Sequence, residues 1–500
     1  MTGTDPWAAS SDALQALQQR LAGSQAAGMM HAELEELIQS EIREVGRRLA
    51  QGYQDLYAQR EQRLPEVADA EGVRRGTAVP GETRNLTTVF GDVRVSRYAY
   101  RQPGQSSLFP ADARQNLPQE QFSHGLRRIA AVEASKGSFA EAVEAVRTST
   151  AAPKVEVGKR QLEDLVRRAA ADFDAFYAQP ERPAVGTEAV LALSFDGKGV
   201  VMRPEALRAA TAAAAARATH KLATRLSKGE KTGRKRMAEV AAVFDVAPVP
   251  RTAEDILPAL EQKKDKARRA PHATGKWVTA SVVADMGTVI AQGFDEADRR
   301  DPEHRRTWLV LVDGNNDQLE RVRQQAEARH ADIAVLIDLI HVLEYLWKAV
   351  WCFFGDGDPA AETWVRDKAL EVLHGKSALV GAAIRSQATA CNLDPQKRKG
   401  ADTCADYLDR KGAYLDYPTA LARGWPIATG VIEGTCRHLV KDRMDITGAR
   451  WGLHSAEAVL QLRALRSNGD FDRYWRFHLA QEQQRVHASR YLGHTIPTPD

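Results

Sequence analysis

Cysteine is scarce in this chain. Its four cysteines in 500 residues (Cys352, Cys391, Cys404 and Cys436) stand 39, 13 and 32 apart, and no CxxC pair occurs. That spacing indicates neither a zinc knuckle nor a disulfide framework, and it fits a reducing cytosol. Long apolar runs are missing too: nothing approaches the roughly 18 to 20 uninterrupted apolar residues of a membrane span. The first residues, MTGTDPWAASSDALQALQQR, lack the charged start and apolar core of a signal peptide, so a cytoplasmic location is expected. No tyrosine or serine constellation points to a covalent intermediate. A net charge of +3 is uninformative as a total. The length predicts about three domains.

The basic residues, however, are clustered. RATHKLATRLSKGEKTGRKR, residues 217 to 236, carries eight Lys or Arg against one Glu and ends in Arg234, Lys235 and Arg236. QKKDKARR, residues 262 to 269, carries five against one Asp. Each run alone has even odds of being a solvated face. Two runs flanking one predicted strand favour a polyanionic partner, because neutralised phosphates release counterions.

Along the chain, AELEELIQSEIREVGRRLAQGYQDL spaces Ile38, Ile42, Val45, Leu49 and Leu56 at three and four residues. This predicts an amphipathic helix with short heptads suited to pairing with a second copy. NLTTVFGDVRVSRYAYR alternates about Gly91-Asp92 and reads as a hairpin. FSHGLRRIAAVEA, SFAEAVEAVRT and VGKRQLEDLVRRAAADF follow as helices, the last opening on Lys159 and Arg160. Two short helices and a longer basic one match a helix-turn-helix that would enter the major groove, although plain helical hairpins share the pattern.

The middle of the chain predicts an order. TEAVLALSFDGKGV, RKRMAEVAAVFDV and KWVTASVVADM read as strands, and MGTVIAQGFDEADRRDPEHRR as a helix. WLVLVDGNN is a strand, DQLERVRQQAEARH a helix, ADIAVLID a strand and LIHVLEYLWKAVW a helix. This β-β-β-α-β-α-β-α order is that of an α/β core of ribonuclease H-like type: a mixed sheet flanked by helices. The first and fourth strands are neighbours in that fold, and each is expected to end in Asp-Gly, at Asp196 and at Asp313. A lone Asp-Gly after a strand is more often a turn. Two ionised carboxylates ending adjacent buried strands would repel each other unless cations sit between them. Magnesium prefers hard oxygens, so two Asp and one Glu can hold a pair of ions with room for phosphate.

The third acid lies in GWPIATGVIEGTCRHLVKDRMDITGARW, where Glu433 stands alone among apolar and basic residues. A surface pair with Arg437 would be worth a few tenths of a kcal/mol. A capping box is a weak rival, because Thr429 precedes Glu433 by four residues rather than three. On a regular helix, Arg437 and Lys441 would follow Glu433 on nearly one face, suited to a DNA backbone. Arg443 extends the same basic stretch.

The segments SFDGKGV, WLVLVDGNN, DLIHVLEYLWKA, PIATGVIEGTCRHLVKDRMDITGARW and LRALRSNGDFDRYWRFH together resemble the ISKra-type insertion-sequence transposases of the DDE group. The resemblance covers about residues 85 to 490. It implies that Asp196, Asp313 and Glu433 form an acidic triad binding two Mg²⁺ ions, with Mn²⁺ as a substitute. It also implies a helical insertion in the 94 residues between Asp338 and Glu433. Related transposases carry a step like Asp338-x-x-His341, which would support the site; a helix cap with a satisfied histidine weighs about equally. The implied partners are the element's terminal repeats, target DNA and further copies of the chain, in a bacterial, nucleoid-associated setting.

The expected organisation is residues 1–80 as a helical region with a candidate oligomerisation helix and 81–180 as hairpin plus helix-turn-helix. Residues 186–350 begin the catalytic core, 351–423 form a helical insertion, and 424–500 complete the core. Other acids compete weakly: Asp245 and Asp285 follow the second and third strands, while Glu296, Asp298 and Asp301 are expected on a charged helix face. Two alternatives share the fold, a structure-selective nuclease and a catalytically silent DNA-binding derivative.

Overall fold

A computed structural model of the chain describes residues 5–150, 157–179, 188–217, 222, 224, 227, 233–258, 270–446 and 448–499. The basic run 262–269 and much of 217–236 therefore lie outside the described residues. The chain divides into two compact units, Met1–Ala178 with Gly469–Asp500, and Gln179–Asn468. The stretch 424–500 is thereby split between them.

The first unit opens with helices α1 (Ala8–Ala22) and α2 (His31–Arg60), followed by strands β1 (Thr77–Thr88) and β2 (Gly91–Arg101). The hairpin turns at Val89-Phe90, two residues earlier than expected, because Thr88 already pairs with Gly91. Gly91, at φ 118°, starts the return strand, and the Thr87 hydroxyl donates to Asp92 at 2.6 Å across the closure. Three helices pack on one another next: α3 (His124–Lys136), α4 (Phe139–Ser149) and α5 (Lys159–Ala169). Ser123 and Ser138 cap the first two. Arg127 of α3 is wholly buried. Its guanidinium pairs with Glu120 and with Glu482 (3.0 Å) and meets His478 Nε2 at 3.2 Å. His478 Nδ1 is 2.6 Å from Asp172. One connected ionic cluster so joins α3 to the C-terminal helix Phe471–Glu482, and each charge in it has a partner.

The second unit is a five-stranded mixed sheet with helices in the expected order. Its main elements are β3 (Val190–Met202), β4 (Arg234–Val246), β5 (Ala273–Ser281), α6 (Met286–Arg300), β6 (Trp308–Val312), α7 (Asn316–Ala328), β7 (Ile333–Ile337) and α8 (Leu339–Val350), with two further short helices, Ala209–Arg217 and Ala253–Ile256, in the β3–β4 and β4–β5 connections. The sheet order is β5-β4-β3-β6-β7, so the first and fourth strands of this unit are neighbours. β3 runs antiparallel to β4, and β6 parallel to both β3 and β7. The buried residues of β3 and β6 form near-continuous apolar runs, as strands covered on both faces require. On one face Gly293 of α6 lets the helix approach: a Cβ there would lie 2.7 Å from Phe195.

Two expectations need correction. β3 does not end at Asp196-Gly197; β4 pairs with it through all thirteen residues, from Val190 to Met202, and so satisfies its backbone well past the end of β6. Glu296 and Asp301 are not on a solvated face. Both are buried: Glu296 binds Arg300, which also holds Asp245, and Asp301 accepts from Trp308 Nε1 at 2.9 Å. Asp245 pairs in register with Leu191, five residues down β3 from Asp196 and toward the other end of the strand.

After α8 the chain is helical, with α9 (Pro359–Leu373), α10 (Ser377–Ala390) and α11 (Lys399–Lys411). Tyr407 of α11 stacks on Tyr345 of α8 at 3.9 Å. The chain then returns as α12 (Gly430–Thr435) and α13 (Leu453–Ser467).

Acid stability follows from the first unit. Burial, reinforced by Arg127, depresses His124 to about 4, and burial also lowers His487. An unfolded imidazole protonates near pH 6.5, so the unfolded chain binds more protons below that pH, and stability present above it is lost as pH falls toward 4. His124→Gln, whose amide can still donate to the Asn116 carbonyl that Nε2 now meets at 2.8 Å, should remove up to about one proton from this dependence. Denaturant melts of both proteins between pH 7 and 4.5 measure it, and identical slopes would refute it.

Candidate active site

Sheet register places the two aspartates. β3 and β6 pair from Leu191 with Trp308 to Ser194 with Leu311. Asp196 and Asp313 each lie two residues beyond that last pair; where they pair, the two strands run about 4.8 Å apart. Asp196 is half-buried in mid-strand, and Asp313 is half-buried just past the end of β6. Oδ1 of Asp196 accepts the Gly197 N–H at 2.6 Å. Oδ1 of Asp313 accepts the Asn315 N–H at 2.8 Å. Gly314 between them has φ 90° and is pressed on by Ile337 and Tyr407, so a side chain is excluded there. Among the described residues neither carboxylate is ion-paired with a Lys or Arg.

Glu433 arrives from the other end of the unit. Its helix, α12, packs on β3 and β4, and its side chain is exposed. One turn later, the buried Cys436 thiol donates to Asp196 Oδ2 at 3.3 Å. Burial, then the neighbouring Asp196, pushes that thiol up, so it stays protonated and able to donate. Cys436 is thus the residue that ties the glutamate's helix to the strand of Asp196. Its sequence signal was slight, a cysteine three residues after Glu433. Glu239 was also missed. It is buried on β4 beside Gly197, and burial raises its carboxyl, with Arg208 opposing and Asp196 and Asp285 adding to the shift. Among the described residues no group of three His, Cys, Asp or Glu side chains converges closely enough to hold a metal ion. Asp196 and Asp313 both follow the last β3–β6 pair by two residues, and Glu433 stays on the exposed side of its helix.

Asp338 sits behind this arrangement, wholly buried. Its Oδ1 caps α8 by accepting the Ile340 N–H at 2.8 Å. Its Oδ2 accepts both the Thr429 N–H (3.1 Å) and the Thr429 hydroxyl. Thr429 is in turn the residue whose carbonyl accepts the Glu433 N–H, at 3.0 Å. Asp338 therefore anchors the start of the Glu433 helix. His341, partly exposed one turn into α8, lies 3.7 Å from Glu344.

The basic candidates separate by environment. Arg437 and Lys441 are exposed, but residues Cys436–Lys441 widen into a π-helical turn. The extra residue per turn moves Lys441 off the straight stripe that a regular helix would give. Arg443 is buried, its guanidinium 4.6 Å over the Trp451 ring. Arg236 turns inward to the carbonyls of Val282 and Ala206, Lys235 is exposed and lies across Gly199, and Arg234 is partly buried. In the first unit, Lys159 and Arg160 are exposed on the opening turn of α5. Residues 151–156 before them lie outside the described residues.

Asp338→Ala would strand three donors inside the protein. It should cost about 2–4 kcal/mol, read as a loss of thermal stability, whereas His341→Ala on a partly exposed turn should cost less than about 1 kcal/mol. Equal effects from the two would show that Asp338 anchors nothing.

No family model matches the chain, and no curated protein matches it. Among solved structures, it is similar to a chain described as the Drosophila P element transposase strand transfer complex. The likeness covers 76% of this chain and 84% of that one, at 10% identity and a TM-score of 0.24. Nothing about the site follows from a likeness that weak. No helix among the described residues is long and apolar enough to cross a membrane.

Proposed function

We propose that this chain is a DNA transposase of the DDE group, related to the ISKra-type insertion-sequence enzymes, built on a ribonuclease H-like core. The observation that supports the reading is the β3–β6 register: its last pair, Ser194 with Leu311, lies two residues before Asp196 and two before Asp313, and among the described residues neither carboxylate forms an ion pair with a Lys or Arg. Two hard carboxylates without an ion-pair partner suit a divalent cation. Asp196, Asp313 and Glu433 would hold Mg²⁺ or Mn²⁺. When bound, the metal supplies activation of a hydroxyl nucleophile and charge stabilisation at phosphate.

The chain's own residues do the rest. Asp196, in mid-strand of β3, and Asp313, just past the end of β6, would present carboxylate oxygens to the scissile phosphate. Asp338 holds Thr429, so the Glu433 helix starts at a set place. Exposed Arg437 and Lys441, on the turn beside it, bind backbone phosphates. Lys159 and Arg160 lie on the opening turn of α5, in the helical unit, where they would contact the terminal repeats of the element.

Duplexes made from the DNA flanking the gene test this. Asp196→Asn, Asp313→Asn and Glu433→Gln should each lower Mg²⁺-dependent nicking by at least about a hundredfold and leave gel-shift affinity unchanged or tighter. Arg437→Ala with Lys441→Ala should weaken binding and reduce the salt slope by about one unit per lost phosphate contact. Joining of cut ends to a second duplex separates a transposase from a structure-selective nuclease. Wild-type nicking by Glu433→Gln would remove that residue from the site.

A further inference from the structure

The long helix α2 has three faces, and two are covered. Toward the hairpin, Gly46 lies against Phe90, where a Cβ would come within 2.8 Å of its ring. On the same side Gln51 exchanges two hydrogen bonds with the Arg94 backbone, at 3.0 and 2.7 Å. Toward α1, Val45 is buried, the Arg48 guanidinium donates to the Ala9 carbonyl at 3.1 Å, and Gly52 meets the carbonyl of Pro6. The third face carries Ile38, Ile42, Leu49 and Tyr53, exposed at 37, 45, 44 and 51%. At 100° per residue these four span about 60° of the helix circumference, a single seam. An apolar seam that its own unit leaves uncovered is the mark of an interface.

We propose that this seam pairs with the same seam of a second copy, antiparallel, about a two-fold axis. The charges select the direction. On the open face Glu35 precedes the apolar stretch and Arg60 follows it. Parallel pairing would set Glu35 on Glu35 and Arg60 on Arg60. Antiparallel pairing sets Glu35 of each copy on Arg60 of the other, and in that register Ile42 lies opposite Tyr53. The seam belongs wholly to the first unit, so the inference stands apart from the catalytic reading.

Sedimentation equilibrium of the full chain tests it. The wild type should be dimeric at micromolar concentration. Ile42→Glu with Leu49→Glu, both at exposed sites, should weaken association by at least about a hundredfold, since four apolar side chains lose their cover in each dimer. Glu35→Arg alone and Arg60→Glu alone should each weaken it by roughly fivefold, and the double reversal E35R/R60E should restore it. Restoration by the double reversal is particular to antiparallel pairing and needs no loss of folding to interpret. A monomeric wild type, a dimer indifferent to I42E/L49E, or a double reversal no better than the singles would each overturn the proposal.

Discussion

The second unit depends on how one buried carboxylate is satisfied. Asp338 lies at the end of β7 with no exposure to solvent, where an unpartnered charge would be prohibitive. Its two oxygens instead serve two chain segments: one caps α8, and the other holds Thr429 by backbone and side chain. These segments are 91 residues apart in sequence, separated by a run of helices. Closing such a loop costs entropy that grows only slowly with its length, so a few well-made hydrogen bonds, with the Tyr417 hydroxyl on the Ile337 carbonyl at 2.9 Å, suffice to return the chain to the sheet. The Glu433 helix begins where they end.

The sheet contributes position, and the helix contributes approach. Asp196 is fixed in mid-strand by its pairing with Val240 of β4, and Asp313 sits just past the end of β6, where its carboxylate accepts the Asn315 N–H. Glu433 is held less directly, through the buried thiol of Cys436 on Asp196 and the packing of α12 on β3 and β4. The π-helical turn at Cys436–Lys441 lies at this junction, where such widened turns recur at functional positions.

The first unit solves a different problem. Its charges are brought inside and paired: Arg127 with Glu120 and Glu482, His478 with Asp172, and Arg485 with Asp172 at 2.6 Å. Breaking such a cluster by removing one member leaves a buried charge alone, which is why clusters of this kind fix how segments meet more than they add net stability. Here the segments are α3 and the last helix of the chain. The same unit leaves the apolar seam of α2 outside.

The sequence by itself determined the elements and their order. Strand and helix periodicity read the five strands and the three helices after the third strand in order, because apolar spacing is a local property, but not the short helices Ala209–Arg217 and Ala253–Ile256 between the first three strands. The Asp-Gly steps were visible in the first strand and just after the fourth. The amphipathic α2 was legible for the same reason. Tertiary structure decided what local pattern cannot hold. The extent of β3 past Asp196 depended on a distant partner strand, β4, that satisfies its backbone. The fate of each charge depended on burial: Arg443 stacks on Trp451, Glu296 and Asp301 are internal, and Arg236 turns to backbone carbonyls, although all four look like surface residues in one dimension. Asp338 looked like a helix cap, and it is one, but its second oxygen finds Thr429 only when the chain has folded back, because that contact has no period and no fixed spacing to announce it.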